Sequence, residues 1–256
     1  MASPLAALAQ SFDRLARRRS DAVPGAPPSP LARAGEAVTR VAVRAALVGG
    51  SLAGGSLFWV RASLGQNQLT MHDCTPDGAI SIGGVSEQLY GEGFVAAFHE
   101  VLGREAGARL PEVLYEIGLR GARWEVSRAI ERKVWVPALL RGLVGRPALL
   151  AKARDSALYH ALLAESLRIL FRMIMTEGGW GVVEEIDLES EPMRLVVRNT
   201  PEPRRLGLTG RCSCHLMSGI YAGYFETLFG AAAVARETTC RSRGDERCTF
   251  EIAFNQ

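Results

Sequence analysis

The spacing of apolar residues divides the chain into helix-like and strand-like stretches. Leu5, Leu8, Phe12 and Leu15 recur at three- and four-residue intervals, which predicts a short helix over residues 4–19. Four prolines (24, 27, 28 and 30) make residues 20–30 a linker. Residues 57–62 and 68–72 read as short strands. Thr75-Pro76-Asp77-Gly78 predicts a turn with residues 79–82 as the return strand, so a hairpin opens the folded part. From Ser86 the period becomes helical. Phe94, Val95, Phe98, Val101 and Leu102 lead to a stop at Gly103. Val113, Leu114, Ile117 and Trp124 continue a helix over residues 113–132, with Pro111 in a tolerated first-turn place.

Pro137 and Pro147 break the next region into short pieces. Leu158, Leu162, Leu163, Ile169, Leu170, Met173 and Ile174 line one face of a long helix over residues 155–176, ended by Gly178-Gly179. Residues 181–188 and 193–198 alternate as a second hairpin. Residues 199–210, with two prolines and two glycines, read as a loop. Apolar pairs once per turn predict a helix over residues 214–229. Two strands, 234–239 and 248–254, joined through Gly244-Asp245, close the chain. The expected class is α+β, an antiparallel sheet packed with several helices. Its domain spans residues 51–256, and residues 1–50 form an arm, partly disordered or helical.

Gly219 and Gly223 stand four apart inside the predicted 214–229 helix. Each costs ~1 kcal/mol against alanine there. That cost predicts a close neighbour, either another backbone or a ligand.

Composition changes this picture little. The chain of 256 residues is 48% hydrophobic and 22% charged, ordinary for a soluble globular protein. The net charge of +3 is concentrated early. Arg14, Arg17, Arg18, Arg19, Arg33, Arg40 and Arg44 face only Asp13, Asp21 and Glu36 up to residue 46, and the remainder is close to neutral. A nucleic-acid partner is therefore not expected. Residues 45–60 are uncharged but short and rich in glycine, so they predict buried or interfacial structure, not a membrane span. No secretory signal is visible, and a cytoplasmic location is expected.

The five cysteines matter more. Four of them lie between Arg211 and Phe254, and clustering in such a chain favours metal over disulfides. The candidate ligands are Cys212, Cys214, His215, Glu237, Cys240 and Cys248. Zinc takes four such groups in a tetrahedron, and a closed set is structural. Spacing alone leaves buried free thiols as an equal reading.

The run from Cys214-His-Leu-Met-Ser-Gly-Ile-Tyr-Ala-Gly-Tyr-Phe through Phe229-Gly230, Arg236-Glu237-Thr-Thr-Cys240 and Gly244-Asp245-Glu-Arg-Cys248-Thr-Phe resembles the 4-vinyl-reductase (4VR) domain family. Weaker resemblance reaches back to residue 79. The family includes a bacteriochlorophyll-pathway protein, archaeal hydrocarbon-binding proteins and the sensor domains of phenol-responsive activators. The resemblance implies a ligand-binding fold of the NO-signalling and Golgi-transport type, and a homodimer. Phenol-sensing members hold a structural zinc with three cysteines and a glutamate. That pattern falls on Cys214, Glu237, Cys240 and Cys248, leaving Cys212 and His215 as spares. The resemblance also implies a pocket for a small apolar or aromatic molecule. The family's phenol-holding tryptophan falls near Val197 here, so that contact is absent. His160, Trp180, Gly219, Tyr221, Gly223 and Tyr224 are the pocket candidates; Trp124, Trp135 and Phe225 share the aromatic spacing, which also fits plain core.

Three functions follow. One is a binding module, sensor or carrier, with structural zinc. The second is a 4-vinyl reductase or tetrapyrrole carrier of the bacteriochlorophyll pathway. Against a self-sufficient reductase, Gly91-Glu-Gly93-Phe-Val-Ala96 lacks the strand and distal acid of a dinucleotide site. The third is an assembly scaffold. The residues point to binding over catalysis.

Overall fold

A computed structural model describes residues 30–53, 57–67, 70–74, 76, 78–82, 85–87, 92–132 and 136–255. The helix expected over residues 4–19, most of the linker after it, and Trp135 lie outside the described residues.

The chain runs α1 (Pro30–Ala53), α2 (Leu57–Ser63), β1 (His72–Cys74), β2 (Ile80–Ile82), β3 (Val85–Glu87), α3 (Glu92–Ala106) and α4 (Leu110–Glu131). Then come α5 (Ala148–Asp155), α6 (Ala157–Phe171), β4 (Val182–Asp187), β5 (Met193–Arg198), α7 (Pro201–Leu206), α8 (His215–Phe229), β6 (Ala233–Thr239) and β7 (Cys248–Phe254). The class is α+β. The main sheet is antiparallel in the order β4-β5-β7-β6, and β1-β2-β3 form a small separate sheet.

The main sheet buries one face. Met193, Leu195 and Val197 of β5 alternate inward, as do Cys248, Phe250 and Ile252 of β7. Its other face carries ion pairs such as Arg194–Glu185 and Arg198–Glu184. This is the one-sided alternation that antiparallel sheets permit. Against the inner face lie α8 and α6. Phe171, Tyr221, Phe225, Phe229 and Phe250 are almost wholly buried there and stack edge-to-face or tilted, as ring quadrupoles prefer.

Helix α4 packs on α8 with backbones in contact. A Cβ at Gly219 would lie 1.9 Å from the Tyr115 carbonyl oxygen, and one at Gly223 would lie 2.5 Å from that of Leu119. From the other side, a Cβ at Gly118 would lie 2.2 Å from the Leu216 carbonyl oxygen. The close neighbour expected at Gly219 and Gly223 is thus the α4 backbone. This corrects their place among the pocket candidates, because α4 fills the space a ligand would need.

Several local expectations are also corrected. Residues 57–62 are helical, because that winding puts Trp59, Ala62 and Ser63 on one buried side. Of the strand expected over residues 68–72, residues 68 and 69 lie outside the described residues and only His72 is extended, as the first residue of β1. The hairpin itself stands, with Cys74 opposite Ile80. The long helix expected over residues 155–176 breaks at Ser156, which is extended (φ −136, ψ 119), and its end winds into a π-helix over Arg172–Glu177. Within the loop expected over residues 199–210 lies α7. The boundary expected at residue 50 falls inside α1, whose Val43 and Leu47 are core residues. Arg44 of α1 also pairs with the buried Glu165 of α6. Among the described residues no helix is long and apolar enough to cross a membrane.

Candidate metal centre

The structure brings Cys214, Glu237, Cys240 and Cys248 together, one ligand atom from each lying within 4.8 Å of all the others. Each arrives by a local rule of the chain. Cys214 is the residue just before the first turn of α8. Cys248 opens β7 opposite Val197 on the buried face. Glu237 pairs with Phe250, so it shares that face. Cys240 stands an odd number of residues later and in a regular strand would face away. The register shifts between Glu237 and Thr239, with Thr238 as the extra residue. Such a bulge restores the parity and turns Cys240 inward.

The turn beyond Cys240 is closed by Asp245, whose carboxylate accepts from the Cys240 backbone N–H and from Arg243 Nε, both at 2.8 Å. Gly244 follows at φ 110, a backbone conformation that favours glycine.

The separations fit a tetrahedral ion. Cys214 Sγ lies 3.7 Å from Cys248 Sγ and 4.0 Å from Cys240 Sγ. Zinc–sulfur bonds of about 2.3 Å place the sulfurs of one tetrahedron roughly 3.8 Å apart. Glu237 Oε2 accepts the Cys214 backbone N–H at 2.9 Å, while its buried Oε1 has no hydrogen-bond partner. An orphaned carboxylate oxygen beside three thiols is what a cation would satisfy. The donor set therefore fits zinc, with all four positions taken by protein.

The acid–base state points the same way. Hydrogen bonds from the Cys214 and Cys248 thiols hold the Cys240 thiol far below its ordinary range. Burial, then those same bonds, pushes Cys214 up. At Cys248 the bond with Cys214 favours the thiolate, but the bond with Cys240 and burial outweigh it and push the thiol up to about 12. Burial raises Glu237 to about 8. Without a cation the cluster favours one negative charge, on Cys240. A divalent ion would stabilise the deprotonated forms of the others and release their protons.

Around the ligands stand groups that spacing did not single out. Thr200 Oγ1 lies 3.4 Å from Cys214 Sγ and 3.3 Å from Cys248 Sγ, fully buried. Ser213 Oγ lies 3.7 Å from Cys240 Sγ and donates to Ser242 Oγ at 2.8 Å. Glu202, on α7 and wholly buried, accepts the Met217 N–H at 3.1 Å in the first turn of α8. Burial raises its carboxyl to about 7. The signal for these residues was Thr200-Pro201-Glu202 itself. A threonine, a first-turn proline and an acid are a helix-start pattern inside the expected loop.

The remaining candidates are placed apart from the centre. Cys212 and His215 line an open cleft of about 550 Å³ between α4, α8 and β6, beside Glu237 but outside the four-ligand cluster. Tyr221 and Tyr224 are core aromatics. The Tyr224 hydroxyl donates to Glu125 at 2.9 Å, whereas the Tyr221 hydroxyl is buried without a partner. Trp180 is half-buried against the core. His160 stands near the surface, 3.7 Å from Glu189.

The 4-vinyl-reductase domain model matches residues 193–254. The uncharacterized protein MJ0150 of Methanocaldococcus jannaschii is 28% identical over 82 residues, which are 32% of this chain. The match spans about half of that relative, 47% of its length. Among solved structures, the phenol-responsive sensory domain of the transcription activator PoxR, with phenol, aligns at a TM-score of 0.49 and 14% identity. That alignment covers 72% of this chain and 85% of that one. A vinyl-4-reductase family protein from Methanocaldococcus jannaschii aligns at 0.40 and 17%, covering 66% and 85%. Residues 193–254, from the first residue of β5 to the last of β7 and with all four clustered ligands among them, carry a 4-vinyl-reductase domain.

Proposed function

We propose that this chain is a binding module for a small apolar or aromatic molecule, acting as sensor or carrier, whose C-terminal layer is clamped by a structural zinc ion. Cys214, Glu237, Cys240 and Cys248 would hold the ion. It would supply cross-linking of α8 to the β6–β7 hairpin, with no chemistry of its own, because a four-ligand protein set leaves no position for water or substrate.

The observation that carries the ligand half is Tyr221. Its hydroxyl is fully buried among Phe171 and Phe250 and has no hydrogen-bond partner. Leaving such a group unpaired costs ~1–3 kcal/mol. An aromatic-walled interior with one unpaired polar group is how small-molecule sites are built. The domain match and the family resemblance support the same reading.

Phenol is a direct probe. Titrated against the purified full chain, it should raise the melting temperature in a saturable way, and Tyr221→Phe should weaken that response. Equal responses from the two proteins, or none from the unaltered chain, would count against the pocket at Tyr221.

A further inference from the structure

We infer that the outer face of α1 is a docking seam for the chain's own N-terminal segment, residues 4–19. Val38, Val41, Ala45, Val48 and Leu52 follow one another at intervals of three and four along α1, the spacing of a helix-pairing seam. The opposite face of the same helix is already used, with Val43, Leu47 and Ser51 buried in the core. The seam itself is open: Val38 and Val41 are each 68% exposed and Leu52 is 58% exposed, with Val48 half-buried between them.

Residues 4–19 carry a matching row. Leu5, Leu8, Phe12 and Leu15 repeat the same three-four-three interval. From Leu5 to Leu15 and from Val38 to Val48 the two rows have equal length, about 15 Å as helix. Their shapes also complement each other. The α1 seam is built of valine and alanine, flanked by Ala42 and Gly49, and a Cβ added at Gly49 would meet nothing within 4 Å. Leucine and phenylalanine knobs fill such a shallow surface. A second copy of the α1 seam would set small residues against small ones and leave voids.

The connection fixes the direction. Residues 20–29 reach about 35 Å at most. An antiparallel return needs the linker to cross little more than the ~10 Å between neighbouring helix axes. A parallel one needs it to run back along α1 for about 33 Å and cross as well, at its limit. Pro24, Pro27 and Pro28 keep those residues from continuing either helix. Leu15 therefore comes to lie beside Val38, and Leu5 beside Val48.

The test places a photoreactive benzophenone amino acid at position 12 of the full chain, in an equal mixture of isotopically heavy and light protein. The expected cross-links join position 12 to residues 38–52 within one chain, heavy to heavy and light to light. Val41→Asp lies on the open face and leaves the core untouched; it should cut their yield about tenfold. Heavy-to-light products would assign the seam to a second copy. Capture only of lipid, when phosphatidylglycerol vesicles are added, would assign it to a membrane surface. Either result, cross-links elsewhere, or a yield indifferent to Val41→Asp overturns the inference.

Discussion

Glu237 and Cys240 face the same side of the main sheet, although an odd number of residues separates them. Thr238, the extra residue in β6, makes this possible. Deleting Thr238 should return Cys240 to the opposite face while leaving the rest of β6 paired with β7. The expected result is loss of bound zinc with retained strand content by circular dichroism. A deletion variant that still binds one zinc per chain would contradict the role given to the bulge.

The contact of α4 with α8 sets a second expectation. Gly219→Ala places a methyl group 1.9 Å from the Tyr115 carbonyl oxygen, and no side-chain rotation relieves a clash with backbone. It should destabilise the chain by about 3 kcal/mol or more in urea unfolding. Gly121→Ala, on the exposed side of α4 with open space around it, should stabilise by up to about 1 kcal/mol. Similar effects from the two would mean that the helices are not locked backbone to backbone.

Thr200 offers its hydroxyl to two sulfurs. Thr200→Val keeps the shape and removes those bonds. Zinc affinity, measured by competition with a chelator, should fall about 10–100-fold, while the metal-loaded fold persists. Unchanged affinity would reduce Thr200 to a packing residue.

Glu87 of β3 provides a pH signature away from the metal. Burial, with the neighbouring Glu125 adding to it, raises its carboxyl to about 8. Burial raises Glu125 as well, opposed by the hydrogen bond from Tyr224. A carboxyl whose folded value lies above its unfolded one binds more protons when folded. Its stabilisation is complete below about pH 4.5 and is lost as pH rises through about 8. Glu87→Gln should therefore gain stability relative to the unaltered chain at pH 8.5 but not at pH 4.5. A urea midpoint difference that is the same at both values would contradict the assignment.

How far the sequence could be read follows from where its signals are local. The β4–β5 hairpin, α8 and the terminal strands came from two-residue and helical periods that the sheet and core then used. The four clustered ligands came from cysteine clustering and a family pattern, since spacing alone left six candidates. What stayed hidden depends on contacts across the chain. Leu57-Phe-Trp-Val-Arg-Ala is rich in strand-formers, and only the burial of Trp59 and Ala62 on one side decides for a helix. Thr200 and Ser213 touch sulfurs contributed by α8, β7 and the β6–β7 turn, which no local pattern announces. Gly219 and Gly223 did announce a close neighbour, but only α4 shows that it is backbone.

The metal clamp is tested most directly by native mass spectrometry of the purified full chain, with zinc counted per chain, beside Cys240→Ser. The account predicts one zinc per unaltered chain, none in the variant, and a melting temperature lowered by at least several degrees when the metal is lost. A chain with no bound metal, or a variant with unchanged zinc and melting temperature, would contradict it.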